Sequence, residues 1–213
     1  MSTVLPTSAD QRVMVANVSW DTFLALVRDA GSPRGRFAYD QGTLEIMSPS
    51  GTHEQLKRFI GRIIETLTLR LGIEIRSFGS TTLLREVEQR GLEPDECYYI
   101  QSAAEIPGKR DLDMKVDPPP DLVVEVDLSH HSLDKFRIYA SLGVPEIWRL
   151  KGTELKVYRL GRQGRYAESE ASRVLPMLPL EVLRDFVFRS ETANETALVR
   201  EFEAWVKRSV RKI

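Results

Sequence analysis

The stretch "PPPDLVVEVDLSHHSLDKF", residues 118–136, contains a strand of buried type with three carboxylates in it or next to it. Its centre, "LVVEV", is rich in valine, which is typical of a strand that is covered on both faces. Glu125 lies in the middle of that run, with Asp121 before it and Asp127 after it. Because an ionised carboxylate loses several kcal/mol of hydration when it is buried, we expect a cationic partner beside Glu125.

The composition is that of an ordinary globular protein. The chain has 213 residues, of which 42% are hydrophobic and 29% are charged, and it is long enough for one large domain. The net charge of −1 excludes a strongly basic nucleic-acid coat, although it is compatible with local basic faces. The single cysteine, Cys97, excludes a disulfide within the chain and a multi-cysteine zinc site.

The sequence gives no sign of membrane association. No stretch reaches the roughly 18 apolar residues that a membrane helix needs. The first residues also lack the basic and then apolar order of a signal peptide. We therefore expect a cytoplasmic protein without membrane contact.

Periodicity along the rest of the chain predicts alternating helices and strands. Residues 1–18 are expected to form a weakly ordered arm, followed by a single domain over 19–213. The segment "THEQLKRFIGRIIETLTLRLG" has an apolar stripe at helical spacing and a terminal glycine, so it predicts a long helix. Further helices are predicted at 19–31, 132–143, 179–190 and 194–210, a hairpin at 36–49, and strands at 73–86, 93–102, 121–128, 144–150 and 154–160.

This order predicts a mixed α/β fold. A helix that connects "DLVVEV" to "VPEIW" favours a parallel pair of neighbouring strands. We expect a mixed sheet flanked by the helices over 53–71 and 132–142, with "DLVVEV" as an interior strand. The hairpin precedes this core, and a C-terminal helix follows it.

The spacing of the carboxylates limits which of them can share a metal ion. Side chains alternate along a strand, so Asp121, Glu125 and Asp127 lie on one face. Asp121 is roughly 13 Å from Glu125, too far for one ion, whereas Asp127 is about 6.6 Å away and within reach. If the 93–102 strand is a neighbour, Asp95 and Glu125 converge on a hard cation such as Mg²⁺. Lys135, in the first turn of the next helix, can return toward the strand end and neutralise charge or orient a water.

Structural roles for the same residues remain open. Asp121 can cap a turn after the three prolines, and Asp127 can cap the following helix. Glu125 can form a structural ion pair with Lys135 or an arginine, and Asp95 can simply begin a strand.

The long helix carries further candidates in its first turns. His53 falls near the centre of the apolar stripe, which suits either a buried structural histidine or an accessory contact at the site, while Glu54 points away from the stripe. Basic residues that suit either a nucleic-acid backbone or a solvated surface are Lys57, Arg58 and Arg62 on the polar side of this helix, and Arg34 and Arg36 before the hairpin. His130 and His131 are expected at the surface.

Several of these motifs resemble known nucleases. "EPD" at 93–95 and "EVD" at 125–127 resemble the PD-(D/E)XK nuclease superfamily. "MSPSGTHEQ", "PDLVVEV" and "DKFRIYASLGVPEIW" are similar to the bacterial family of "putative restriction endonucleases" often called Uma-two. The resemblance runs from about Asp21 to Leu160, and it implies a restriction-endonuclease-like core with a metal site built by Asp95 and Glu125.

The resemblance has one departure from the superfamily pattern. The superfamily has a lysine two residues after the second acid, where this chain has Asp127. The family resemblance moves the lysine to the following helix, where Lys135 stands, and leaves Asp127 as an additional metal ligand. It also favours a histidine at His53 and an acid from the same helix, for which Glu54 is the candidate.

Together these expectations describe a nuclease. Mg²⁺, with Mn²⁺ as a substitute, would support hydrolysis of DNA phosphodiester bonds, and Lys135 would steady the attacking hydroxide or the developing charge. DNA as the substrate follows from the family analogy. The rival hypotheses are an inactive nuclease fold that serves as a binding or assembly module, and a hydrolase of a smaller phosphate ester.

A homodimer is also expected. The C-terminal helix carries an apolar stripe, composed of Leu198, Phe202, Trp205 and Val206, that we interpret as larger than one core needs.

Overall fold

A computed structural model describes residues 9–29, 35–128 and 133–210. The strands are β1 (Gln11–Val15), β2 (Arg36–Asp40), β3 (Thr43–Ser48), β4 (Arg76–Ser77), β5 (Leu83–Arg85), β6 (Arg90–Leu92), β7 (Glu96–Tyr99), β8 (Leu122–Asp127), β9 (Glu146–Lys151), β10 (Glu154–Leu160) and β11 (Tyr166–Ser169). The helices are α1 (Trp20–Asp29), α2 (Gly51–Leu71), α3 (Lys135–Leu142), α4 (Leu180–Arg189) and α5 (Glu195–Ser209). The fold is mixed α/β, as predicted.

The central sheet has the strand order β11-β10-β9-β8-β7-β4. Strand β8, the "LVVEVD" segment, is interior, and each of its six residues is buried. It pairs in parallel with β9 and antiparallel with β7, and α3 connects β8 to β9. The prediction of an interior strand with a parallel neighbour across a connecting helix is confirmed.

A second sheet, with the order β1-β3-β2-β6-β5, was not expected from the sequence. The predicted hairpin is its β2–β3 pair, joined by Gln41 and Gly42, which both have positive φ angles of 48° and 99°. The single strand predicted at 73–86 is wrong, because this segment forms β4 of the central sheet and β5 of the second sheet. Strand β6 has only three residues, too few to show a periodic pattern.

The predicted N-terminal arm needs a correction. Residues 11–15 form strand β1, which pairs antiparallel with β3 along its whole length. The "QRVMV" segment has no clean alternation of polar and apolar residues, so its pairing was hidden in the sequence. This pairing brings Arg12 of the arm within 3.3 Å of Asp127 at the end of β8, and Asp10 lies next to Arg12.

Helices cover both faces of the central sheet. Helices α2, α4 and α5 pack on one face, around Leu122, Val124 and Val126 of β8. Helix α3 lies on the other face, between the central sheet and the second sheet, and α1 covers the outer side of the second sheet. The face that carries Val123 and Glu125 therefore meets both α3 and the second sheet.

Helix α2 matches the predicted long helix closely. The Ser50 hydroxyl caps its start by accepting from the His53 N–H, and Gly72 ends it in the left-handed conformation with φ of 70°. This cap fixes the first turn of α2, including His53, at the end of the central sheet.

The apolar stripe of α5 packs within its own domain. Leu198, Phe202 and Val206 are buried in the core beside α2 and α4, and Trp205 packs against them. The stripe therefore supplies no argument for a dimer, and self-association stays a prediction. Within the described ranges, no helix has both the length and the apolar character to cross a membrane.

Candidate active site

Two buried carboxylates face each other on adjacent strands. In the antiparallel β7–β8 register, Glu96 is opposite Val124 and Cys97 is opposite Val123, so the next step places Asp95 opposite Glu125. Asp95 is fully buried and Glu125 is 5% exposed. Asp95 Oδ2 also accepts a hydrogen bond of 2.7 Å from the Val126 N–H. The structure thus brings together the two residues that the sequence analysis placed at a metal site.

Glu125 is paired with two side chains of α3. Lys135 Nζ lies 2.6 Å from Glu125 Oε2, and the Tyr139 hydroxyl donates to the other carboxylate oxygen. Lys135 and Tyr139 are four residues apart and therefore share one face of the helix. Burial raises the pKa of Glu125, and the negative charge of Asp95 adds to this rise, although Lys135 acts against it. Burial alone would lower the pKa of Lys135, but attraction by Glu125 and Asp95 raises it, so the lysine is charged.

Asp95 is held by basic groups from two other elements. The guanidinium of Arg36, the first residue of β2, donates to Asp95 Oδ1, and His53 Nε2 lies 3.0 Å from the same oxygen. Burial alone would raise the pKa of Asp95, but the hydrogen bond and charge of His53, with the charges of Lys135 and Arg36, hold it below its usual value. Arg36 also pairs with Glu54 at 2.6 Å. Asp95 is therefore an ionised carboxylate with a fixed orientation.

His53 bridges two carboxylates in the interior. Its Nδ1 lies 3.0 Å from Asp10 and its Nε2 lies 3.0 Å from Asp95, and the three side chains are fully buried. Burial alone would lower the pKa of His53, but the hydrogen bonds to Asp10 and Asp95 raise it to about 9. The imidazole is therefore protonated at neutral pH and donates from both ring nitrogens. Both hypotheses for His53 describe part of this arrangement: it is a buried, satisfied group, and it contacts the site.

Asp127 is paired with two arginines. It lies 2.6 Å from Arg149 and 3.3 Å from Arg12, and Arg12 also contacts Glu45 at 2.8 Å. Among the residues that the structure describes, no three His, Cys, Asp or Glu side chains are grouped as a ready metal site. The assignment of Asp127 as an additional metal ligand therefore stays a prediction that the geometry does not favour.

Asp121 directly precedes β8, at the end of the strand opposite to Asp127, and caps a turn. Its Oδ2 accepts from the backbone N–H groups of Ile100, Gln101 and Ser102 and from the Ser102 hydroxyl, at 2.7–2.9 Å. These four bonds correspond to the turn-capping role that the sequence left open, and they account fully for a buried carboxylate at this position.

The predicted basic residues have different environments. Lys57 is buried and pairs with Glu54 at 2.8 Å, so its placement on the polar side of the helix, open to solvent or to a nucleic-acid backbone, is wrong. Arg62 pairs with Glu195 at 2.5 Å, whereas Arg58 is exposed. Ser129, His130, His131 and Arg34 lie outside the described residues.

A cleft of about 420 Å³ opens beside Glu125 and Lys135. Arg12, Asp127, Arg149 and Lys151 form its polar lining together with these two residues and Asp134, and Met14, Leu133 and Phe136 form its apolar lining. Solvent and small groups therefore reach the edge of the carboxylate pair from this side.

The carboxylate pair suits a hard divalent cation. Asp95 and Glu125 provide the oxygen ligands that Mg²⁺ prefers, on two strands that hold them side by side. The raised pKa of Glu125 reflects a charge that burial disfavours, and a bound cation would relieve that cost. In the structure, Lys135 neutralises Glu125 and Arg36 neutralises Asp95. The two carboxylates therefore fit a metal ion, but their charges are also balanced without one.

The contacts that three residues make in this site leave no signal in the sequence, whereas the position of a fourth residue does. Asp10, Arg12 and Arg36 come from the second sheet and the residue that leads into it, and their pairing with the central sheet has no local pattern. Tyr139, by contrast, is four residues after Lys135 in a predicted helix, and that spacing alone places the two side chains together.

Comparison with known proteins agrees with this fold. A family model described as "Uma2: Putative restriction endonuclease" matches residues 20–191. The crystal structure of a "putative nuclease belonging to DUF820" from Anabaena variabilis is similar in fold, with a TM-score of 0.52 and 17% identity, over 80% of this chain and 99% of that chain. No curated protein matches the sequence. Because the family model covers far more than half of the 213 residues, including both strands of the carboxylate pair, the chain belongs to the Uma2 family.

Proposed function

We propose that this protein is a metal-dependent nuclease that hydrolyses phosphodiester bonds in DNA. The Uma2 family is described as "Putative restriction endonuclease", and the Anabaena variabilis protein of similar fold is described as a "putative nuclease", which supports this class of function. The observation that carries the proposal is the placement of Asp95 opposite Glu125 on buried neighbouring strands, with Lys135 in the lining of the cleft.

The proposed roles follow from the contacts of each residue. A Mg²⁺ ion held by Asp95 and Glu125 would polarise a phosphoryl oxygen and lower the pKa of a bound water. Arg36 and His53 keep the Asp95 carboxylate ionised and in one orientation. Lys135 keeps its charge and lines the cleft, where its ammonium can stabilise negative charge that develops on a phosphate.

One observation favours a second candidate, a nuclease fold that binds without cutting. Each carboxylate already has a basic partner, since Glu125 pairs with Lys135 and Asp95 pairs with Arg36. Such a site is stable without a metal ion, as a structural cluster would be.

Nicking of supercoiled plasmid DNA tests the proposal. We expect the wild-type protein to nick DNA with Mg²⁺ and not with EDTA, and Glu125→Gln to reduce the rate by about a hundredfold or more, as loss of a group that acts on the transition state does. Glu154→Gln is the matched control, because it makes the same chemical change at a carboxylate that is 68% exposed on β10.

The outcomes separate the two candidates. Nicking that both variants retain at the wild-type rate would place the activity outside this site. A wild-type protein that binds DNA but does not nick it under Mg²⁺ or Mn²⁺ would favour the binding module.

A further inference from the structure

The cleft beside Glu125 carries a group of basic side chains that the proposed chemistry does not use. Arg149 and Lys151 come from β9, and Arg12 comes from β1 of the second sheet. Arg12 lies before residues 20–191, the range that the family model matches. These three residues, the cationic rim, stand next to Lys135 and Glu125 in the lining of the cleft.

The register of the central sheet sets the position of the rim. In the parallel β8–β9 pair, Arg149 is opposite Glu125 and Lys151 is opposite Asp127. Residues two apart on a strand project from the same face, so Arg149 and Lys151 follow the face that carries Glu125. The step from one pair to the next is roughly 6.6 Å along the strands, which places Lys151 next to the proposed reaction site and not within it.

The two guanidinium groups of the rim are held in place. Asp127 contacts both of them, and Arg12 is further fixed by Glu45, so its side chain is only 7% exposed. The Arg149 guanidinium lies over the Phe136 ring at 5.4 Å from the ring centre. Groups that are ordered before a ligand arrives lose less conformational entropy on binding, which favours a specific anion site.

Lys151 differs from the two arginines in its surroundings. It is exposed at the end of β9, and it forms no ion pair with any residue in the described part of the chain. An exposed ammonium beside two fixed guanidinium groups, which present donors in a planar fork, is the arrangement that proteins use to bind phosphate.

We propose that the cationic rim binds a backbone phosphate of nucleic acid, one that neighbours the phosphate to be cut. This inference rests on the proposed function and extends it by naming the residues that hold the substrate. Lys151 and Arg149 supply the attraction, Arg12 brings the N-terminal strand into the site, and Asp127 orients the two arginines.

Fluorescence anisotropy with a short fluorescein-labelled DNA duplex tests the inference in EDTA, where no cleavage interferes. A lost phosphate contact lowers the slope of log K against log salt by about 0.9 for duplex DNA, equivalent to about eightfold weaker binding at 0.1 M salt. We expect this change for Lys151→Ala, and we expect Lys151→Arg to bind like the wild-type protein.

Lys207→Ala is the matched control. Lys207 is also exposed, and it lies on α5, which packs on the opposite face of the central sheet. The same loss of charge there should leave both affinity and salt slope unchanged. Equal binding by Lys151→Ala and Lys207→Ala would overturn the inference, and so would a wild-type protein that fails to bind the duplex.

The nicking assay distinguishes a failure of this inference from a failure of the proposed function. Nicking by the wild-type protein, with no effect of Lys151→Ala on binding, would remove the phosphate site and leave the nuclease in place. Binding that depends on Lys151 in a protein that never nicks DNA would support the phosphate site and remove the hydrolytic function.

Discussion

The ammonium group of Lys135 lies 2.6 Å from the Glu125 carboxylate, joining an interior strand to the helix that follows it. Both groups are largely buried, with 13% and 6% of their side chains exposed. A pair of this kind is costly to break on one side, because the remaining charge stays in a dry environment. The cationic partner that we expected for Glu125 from the sequence is therefore Lys135 of the same chain.

The first prediction concerns thermal stability with and without metal. Mg²⁺ or Mn²⁺ should stabilise the wild-type protein by RT ln(1 + [L]/Kd), about 2.7 kcal/mol at a hundredfold excess over Kd. Glu125→Gln should abolish this stabilisation. Its metal-free form should melt lower than the wild type, since Gln leaves Lys135 without a carboxylate.

Thermal melts of both proteins, in EDTA and in millimolar Mn²⁺, provide the measurement. The Lys135 contact means that a lower melting temperature of the mutant in EDTA does not by itself argue against a metal site. The deciding observation is the metal response of the wild-type protein, and its absence would contradict the prediction.

The second prediction is a loss of stability at alkaline pH. The pKa of His53 rises from its usual 6.5 to about 9 on folding, because its hydrogen bonds to Asp10 and Asp95 outweigh burial. A raised pKa in the folded state stabilises the fold below the unfolded value of about 6.5, and this contribution disappears as the pH rises through about 9. The contribution is on the order of 3 kcal/mol.

Urea unfolding in EDTA across the range from neutral to alkaline pH measures this contribution. The wild-type protein should lose stability progressively between about pH 6.5 and pH 9, and His53→Gln should show a much flatter profile over the same range. Parallel profiles for the two proteins would show that His53 does not bind its proton more tightly in the folded state.

The third prediction concerns the contact between α2 and β7. A Cβ atom at Gly61 would lie 2.9 Å from the Tyr98 hydroxyl, whereas a Cβ at Gly51 meets nothing within 4 Å. Gly61→Ala should therefore destabilise the protein by about 1–3 kcal/mol, as overpacking of a core does. Gly51→Ala is the control at the start of the same helix, and it should leave stability unchanged or slightly higher in chemical denaturation. Similar unfolding midpoints for the two variants would show that the helix shifts freely away from β7.

The parts of the site that sequence could predict are those with a local pattern. The valine run predicted β8 as an interior strand, and the stripe of α2 placed His53 on its buried face. The convergence of Asp95 and Glu125 followed once the two strands were assumed to be neighbours, which the structure shows. The first two steps needed only periodicity within one segment, whereas the third also assumed that two segments pair.

The remaining contacts depend on residues far apart in the chain. Arg36 and Asp95 are separated by 59 positions, and His53 and Asp10 by 43, so neither pair has a spacing that a helix or strand would produce. Lys57 is a further residue whose environment a local pattern could not predict. Its place on the helical wheel suggested a polar, accessible face, but Lys57 is buried and its ammonium lies 3.9 Å from Glu96 of β7.

The fourth prediction decides between two roles for Asp127. As an additional metal ligand, it would be needed for the metal-dependent stabilisation of the first prediction. As the carboxylate that orients Arg12 and Arg149, it contributes no metal ligand, and its negative charge opposes a phosphate in the cleft. We expect Asp127→Asn to keep the Mn²⁺-dependent rise in melting temperature and to bind the labelled DNA duplex at least as tightly as the wild-type protein. The Asn oxygen still accepts a hydrogen bond from a guanidinium and so keeps it oriented, whereas the negative charge that competes with the phosphate is lost. Anisotropy and thermal melts on the same protein preparation provide both readouts. A variant that folds but has lost the metal response would instead assign Asp127 to the metal, beside Asp95 and Glu125.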